Sequence, residues 1–366
     1  MTPAELQQLG LYDPAAPDAE ERLALLQLAL DHGVSLGEIR DAIAERRLHA
    51  IAAVWVVEGG VERLRIEEAA ARAGLDGPTA RRVWSALGFA DPLADERPCS
   101  ERDVEVFRLF ELLEQTLSRD VALQLARVMG SALASLADAE VAAVRSAQEA
   151  PLRAGGGGNV DVARDLVRTA EAFMPLIAPV LDTVHRHQVA AAGRRYALWG
   201  VPATTQSTTD AVVGFADLVG FTAVSSGRSA AALDALVVEF ERLVSDVLAR
   251  PSARLVKLIG DEAMFAAGDA AEALAIARAI VDAVDASDDL PPVRVGLAAG
   301  EVLVREGDLF GPVVNLAARL VGTAGPRQIV LDAEVARRAG PDRVVALGPR
   351  TLDGFDHPVE VYTTRL

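Results

Sequence analysis

The chain has 366 residues, room for two domains of ordinary size, with 51% hydrophobic residues but only 4% aromatics. Ala, Leu and Val must therefore build the core, which suits closely packed helices. The formal net charge of −17 argues against a broad nonspecific nucleic-acid surface, and the single Cys99 excludes an intrachain disulfide or a cysteine-based zinc cluster and fits a reducing compartment.

The opening "MTPAELQQLG" lacks a basic segment followed by an apolar one, so no signal peptide is expected. The apolar stretches fall far short of the ~18 residues that a membrane span needs. A soluble, cytoplasmic protein without membrane contact is expected. Residues 19–58 show helical periodicity: Leu23, Leu26 and Leu30 share a face, and Ser35 stands three positions before Glu38, the spacing of a capping box. Residues 66–90 read as helix, Gly turn, helix, and 101–149 as a long helical region broken near Ser118 or Gly130. "APLRAGGGGNV" reads as a flexible break, and 160–190 as a further helix kinked or divided by Pro175 and Pro179.

The pattern changes at "LWGVPATTQSTTD", a polar, turn-forming linker over 198–210. After it the spacing predicts strand 210–217, helix 228–249, strands 253–259 and 262–267, helix 269–286 and strand 292–300. A helix over 312–322, strand 327–331, helix 332–338 and strands 343–348 and 359–364 complete the chain. Strand, helix, two strands, helix, strand is the ferredoxin-like order. The expected fold class is thus multidomain, all-helical and then α+β, with residues 1–190 helical, a linker over 191–206 and a second domain over 207–366.

Two acids interrupt otherwise core-like strands: Asp217 in "VVGFADLVGFT" and Asp261 in "LVKLIGDEAMF". One ends a strand and the other sits at a tight connection between strands, so both belong at the rim of a sheet. Gly214 and Gly220 would let backbone or ligand approach closely. Two converging carboxylates repel unless a cation lies between them, and carboxylate, phosphate and water oxygens favour magnesium or manganese. Either residue alone is equally well read as a turn Asp capping local amides.

"FADLVGFT", "KLIGDEAMF" and "GDLFGPVVNLAARL" resemble, in order, the three signature blocks of the class III adenylyl and guanylyl cyclase catalytic domain. The resemblance covers about 207–366. It implies two catalytic domains paired head to tail, with ATP and two divalent metals (Mg2+ or Mn2+) at sites shared across a homodimer. By the same resemblance Asp217 and Asp261 hold the metals, and backbone near Phe221 and Thr222 lies close to the triphosphate. Lys257 and Asp308 occupy the purine-selecting positions. Their chemistry suits adenine, an ammonium donating to ring N1 and a carboxylate accepting from the N6 amine. Asn315 and Arg319, four apart on one helical face, are implied to orient the ribose and to stabilise charge on the α-phosphate. Arg305 matches a further phosphate-contacting position. No side chain stands out as a dedicated general base. The "GDE" of residues 260–262 also resembles the hairpin of diguanylate cyclases, whose Gly-Gly-Asp/Glu-Glu-Phe block is imperfectly met.

The layout as a whole resembles soluble actinobacterial adenylyl cyclases with an all-helical regulatory domain, some of which respond to mild acid. His185 and His187 lie close to the linker, where protonation would bias the connection. A second resemblance joins residues 66–110 to the helix-turn-helix opening of MerR-type regulators, with Arg72, Arg81 and Arg82 as phosphate contacts. It leaves a second function class open, a DNA-binding regulator whose nucleotide domain senses ATP. The charge of −17 weighs against nucleic acid as a partner.

Overall fold

The computed structural model describes all residues except 61–62, 94–95, 199–207, 222–225, 251 and 366. It falls into two compact units, Met1–Val184 and His185–Leu366.

The first unit is helical: α1 (Pro3–Gln8), α2 (Ala19–Asp31), α3 (Leu36–Ala44), α4 (Ile51–Glu58), α5 (Ile66–Ala73), α6 (Gly77–Ala86), α7 (Glu101–Thr116), α8 (Arg119–Val144) and α9 (Ala150–Ala154), then most of α10 (Asn159–Leu198). Ser35 and Glu38 form the expected capping box at the start of α3. Leu26 is fully buried, with Leu23 and Leu30 packed around the same core as Leu6 and Ile39. A second core gathers Ile66, Val83, Trp84, Phe107 and Phe110 from α5, α6 and α7.

Two expectations that left alternatives open are narrowed, and a third is corrected. The chain breaks at Ser118, which caps α8, and not at Gly130, where α8 runs on. Gly130 serves close packing, because a Cβ there would lie 2.3 Å from the Leu87 carbonyl oxygen. Pro175 and Pro179 lie inside one continuous helix, α10, and do not divide it. "APLRA" forms α9, so the break is confined to the glycines that follow. Arg72 pairs with Glu101, and Arg81 with Glu67 and Asp91 (2.6 Å each), so acids of the same unit already meet two of the three arginines suggested for DNA contact.

The second unit holds β1 (Thr208–Leu218), α11 (Ala230–Leu248), β2 (Ala253–Ile259), β3 (Glu262–Ala267), α12 (Ala270–Asp285), β4 (Val293–Arg305), β5 (Asp308–Phe310), α13 (Pro312–Thr323), β6 (Ile329–Asp332), α14 (Ala333–Ala339), β7 (Val344–Arg350) and β8 (Val359–Thr364). Its sheet runs β2-β3-β1-β4-β6-β8-β7, with β5 on β4. The antiparallel block β2-β3-β1-β4 is the ferredoxin-like arrangement anticipated from the element order. β1 sits at its centre and is buried on both faces. Val212, Ala216 and Leu218 join α11 and α12 in one core, while Ala211, Val213 and Phe215 join α13 in the other. That double burial explains why β1 reads as a continuous apolar run rather than an alternating one. β4 extends five residues past its expected end and turns back as β5, a short strand that periodicity did not reveal.

Asp332 shows what such packing costs. It caps α14, accepting from the Val335 amide at 2.7 Å and the Ala299 amide at 3.4 Å, and is only 6% exposed. Burial pushes its carboxyl up to about 6. The folded value lies above the unfolded one, so this group's contribution to stability is full below the ordinary aspartate range and is lost as pH rises through about 6. Asp332→Asn keeps an acceptor and removes the charge. Its unfolding free energy is expected to fall less than that of the wild type between pH 4.5 and 7.5 in urea titrations. Identical pH slopes would show that Asp332 does not ionise in that window.

Candidate active site

The last residues of β1 lie in a row across the sheet. Asp217 is directly opposite Glu262 of β3 on one side and Arg294 of β4 on the other, so all three side chains share one face. It is the α13 face, since Asp217 follows Ala211, Val213 and Phe215 at a spacing of two. Asp217 is 16% exposed, and Arg294 reaches its Oδ2 with both Nε (2.7 Å) and Nη2 (2.6 Å). Among the described contacts Oδ1 accepts no hydrogen bond.

Asp261 occupies the two-residue turn between β2 and β3, and its carbonyl accepts from the Leu218 amide at 3.2 Å. The two acids therefore converge at one end of the sheet, as their positions in the sequence anticipated. Burial, and then the charge of Asp217, raises the Asp261 carboxyl above its ordinary range. Half-buried Glu262 is raised for the same reasons, with both aspartates contributing. Arg294 offsets only part of this negative field.

The donor set fits a hard divalent cation: oxygen ligands, one of them with a carboxylate oxygen that has no partner among the described residues, in a place where negative charge is costly. Among the described residues no group of three or more His, Cys, Asp or Glu side chains is arranged as a self-sufficient metal cage. Two aspartates would thus supply part of a coordination shell and leave the remainder to phosphate oxygens and water.

Lys257 of β2 and Asp308 of β5, 51 residues apart, meet with Nζ 2.6 Å from Oδ2. Asp308 also accepts from the Leu309 amide at 2.8 Å, which fixes its other oxygen. The hairpin between β4 and β5 brings this about, and Arg305 stands directly across it from Asp308. Arg305 itself is 62% exposed and lies 3.6 Å from Glu306. Asn315 and Arg319 occupy the exposed face of α13, opposite buried Ala317, Leu320 and Val321. No hydrogen bond or ion pair among the described residues joins either of them to the aspartates or to the Lys257–Asp308 pair. Gly296 of β4 seats α13, because a Cβ there would lie 2.4 Å from the Val321 nitrogen.

Phe221 is half-buried against the α11 side of the core, and Thr222 lies outside the described residues. At Gly214 the space a side chain would need is taken by the Phe265 ring, so that glycine serves packing rather than a ligand, whereas Gly220 faces open space. His185 and His187 are exposed on α10, two positions apart and so on different sides of the helix. Arg294 and Glu262 escaped the sequence reading. The signal was there for Arg294, a lone charge in the apolar "VRVGLAA".

Residues 6–191 match the family described as the adenylate cyclase regulatory domain, and residues 201–345 the adenylate and guanylate cyclase catalytic domain. An adenylate cyclase of Streptomyces coelicolor is 34% identical over 285 residues, 77% of this chain and 73% of its own. A pH-sensitive adenylate cyclase of Mycobacterium tuberculosis is 30% identical over 366 aligned positions, 94% of this chain and 88% of its own. An uncharacterized protein of Mycobacterium tuberculosis is 35% identical over 357 residues, 98% of this chain and 92% of its own.

Proposed function

Because the chain belongs to the adenylate cyclase family, carrying both its regulatory and its catalytic parts, we propose that it converts ATP to 3′,5′-cyclic AMP and pyrophosphate at sites shared between two copies. The observation that carries the choice of ATP is the Lys257–Asp308 pair. An ammonium and a carboxylate held 2.6 Å apart present a donor and an acceptor side by side. Adenine offers the complement, N1 as acceptor and the N6 amine as donor, whereas guanine offers the reverse.

Asp217 and Asp261 would hold two divalent cations, magnesium or manganese. When bound, these lower the pKa of the ribose 3′-hydroxyl and offset charge on the reacting phosphate. Arg294 directs Nε and Nη2 onto one oxygen of Asp217, which would leave the other for a cation. Arg319, with its fixed fork of donors, would take the α-phosphate oxygens, and Asn315 one turn away would orient the ribose. Both point outward from α13 without a partner among the described residues, which suits residues that complete the site of a second copy.

Residues 1–190 form the regulatory part in this reading, 191–206 the linker and 207–366 the catalytic part. The helical part supports pairing as well. Leu125, Met129 and Leu133 of α8 and Leu176, Val180 and Val184 of α10 are all exposed, each set at a four-residue spacing that keeps it on one side of its helix. A dimer held there restrains the catalytic pair by setting its geometry. His185 and His187, just beyond Val184, would make the restraint pH-dependent. No helix among the described residues is long and apolar enough to cross a membrane.

Base choice tests the purine contacts. In Lys257→Glu/Asp308→Ser the ratio of kcat/KM for ATP over GTP is expected to fall by about ten-fold or more, since two hydrogen bonds are lost. An unchanged ratio would refute the assignment. Shared sites are tested by mixing inactive chains. Asp217→Ala and Asn315→Ala are each expected to abolish cyclic AMP formation without loss of helical circular dichroism. Their equimolar mixture should regain about a quarter of wild-type turnover, because half the dimers are mixed and each has one intact site. Mixed dimers that form and stay silent would count against a site built from two copies.

A further inference from the structure

Away from the aspartates, the second unit gathers positive charge that the reaction does not use. A cavity of about 660 Å³ is lined by Arg194 and Arg195 from the last turns of α10, Arg250 from the connection after α11, and Arg254 from β2. All belong to the unit His185–Leu366. Gln188 lies seven positions before Arg195 and faces the cavity with it. Ala191, Ala249 and Ala253 keep the space open by their small size. In a chain of net charge −17, four guanidiniums around one cavity make a local concentration of positive charge that favours an anion. Arg250 has Glu272 only at 3.9 Å, and Arg194 and Arg195 make no ion pair among the described residues.

We propose that this cavity binds a small molecule whose phosphate groups carry two or more negative charges, and that its occupancy is felt at the purine site. Guanidinium forks match phosphate oxygens in pairs, and several of them favour a multiply charged ligand over chloride or a monocarboxylate. The connection to the active site is Arg254, which also donates to the carbonyl of Gly307 at the tip of the β4–β5 hairpin. The next residue is Asp308, held against Lys257. A phosphate that takes the Arg254 donors takes them from Gly307, and the hairpin carrying Asp308 loses a tether. Occupancy should therefore weaken capture of the base, raising KM for ATP and leaving kcat nearly unchanged. That coupling rests on the assignment of Lys257 and Asp308 to purine recognition, whereas binding in the cavity does not.

The test uses the full chain, with inorganic phosphate as the probe and sodium chloride at matched ionic strength as the control. Thermal unfolding is followed with the active site saturated by magnesium and a non-reactive ATP analogue. Phosphate at about ten times its dissociation constant should raise Tm by about 1–3 °C in the wild type. It should not do so in Arg194→Ala/Arg195→Ala, whose Tm without phosphate should match the wild type. Should that variant unfold early, Arg250→Ala serves in its place. In parallel, phosphate should raise the wild-type KM for ATP about three-fold and leave the variant's KM unmoved. Equal stabilisation of both proteins by phosphate would overturn the site. Stabilisation confined to the wild type with no change in KM would overturn the coupling. Absence of cyclase activity altogether would count against the function proposed above, while the unfolding comparison would still decide the site.

Discussion

The row Glu262–Asp217–Arg294 is the constraint on which the rest of the second unit depends. β1 is buried by helices on both faces, so its terminal carboxylate cannot simply turn away into water. Fixing an ionised group there, beside Asp261 and Glu262, requires positive charge nearby. Arg294 supplies one such charge from the strand on the other side, while burial first, and then the neighbouring carboxylates, still hold Asp261 and Glu262 above their ordinary range. Carboxylates crowded in this way would favour a cation.

The same double burial explains which side chains of α13 are left facing outward. α13 must lie flat on β1 and β4 to cover the second core, and Gly296 lets its backbone approach closely enough to do so. Covering the core fixes which face of α13 is left outside, and Asn315 and Arg319 are on it. Groups presented outward on a rigid helix, without partners among the described residues, are suited to a surface that another molecule completes. Lys257 and Asp308 are joined differently, through a hairpin that folds β5 back toward β2.

Much of this was legible in the sequence, because its signals are local. The alternation of strands and helices after residue 207, the capping box at Ser35 and the convergence of Asp217 with Asp261 follow from periodicity and turn chemistry. What was not legible depends on register. Arg294 becomes part of the site only because β4 pairs with β1 in the register that sets it opposite Asp217. β5 has three residues, too few for a periodic signal. Pro175 and Pro179 illustrate the opposite failure, where a local rule for breaking helices is overridden within a long continuous helix.

The central claim is that Asp217 and Asp261 exist to hold divalent cations together with a triphosphate. Its most direct test is manganese binding, followed by electron paramagnetic resonance of the free ion in the presence of a non-reactive ATP analogue. The wild type should take up manganese beyond what the analogue alone binds, and Asp217→Asn and Asp261→Asn should each lose that excess while keeping the wild-type circular dichroism. Undiminished manganese uptake by either folded variant would contradict the account.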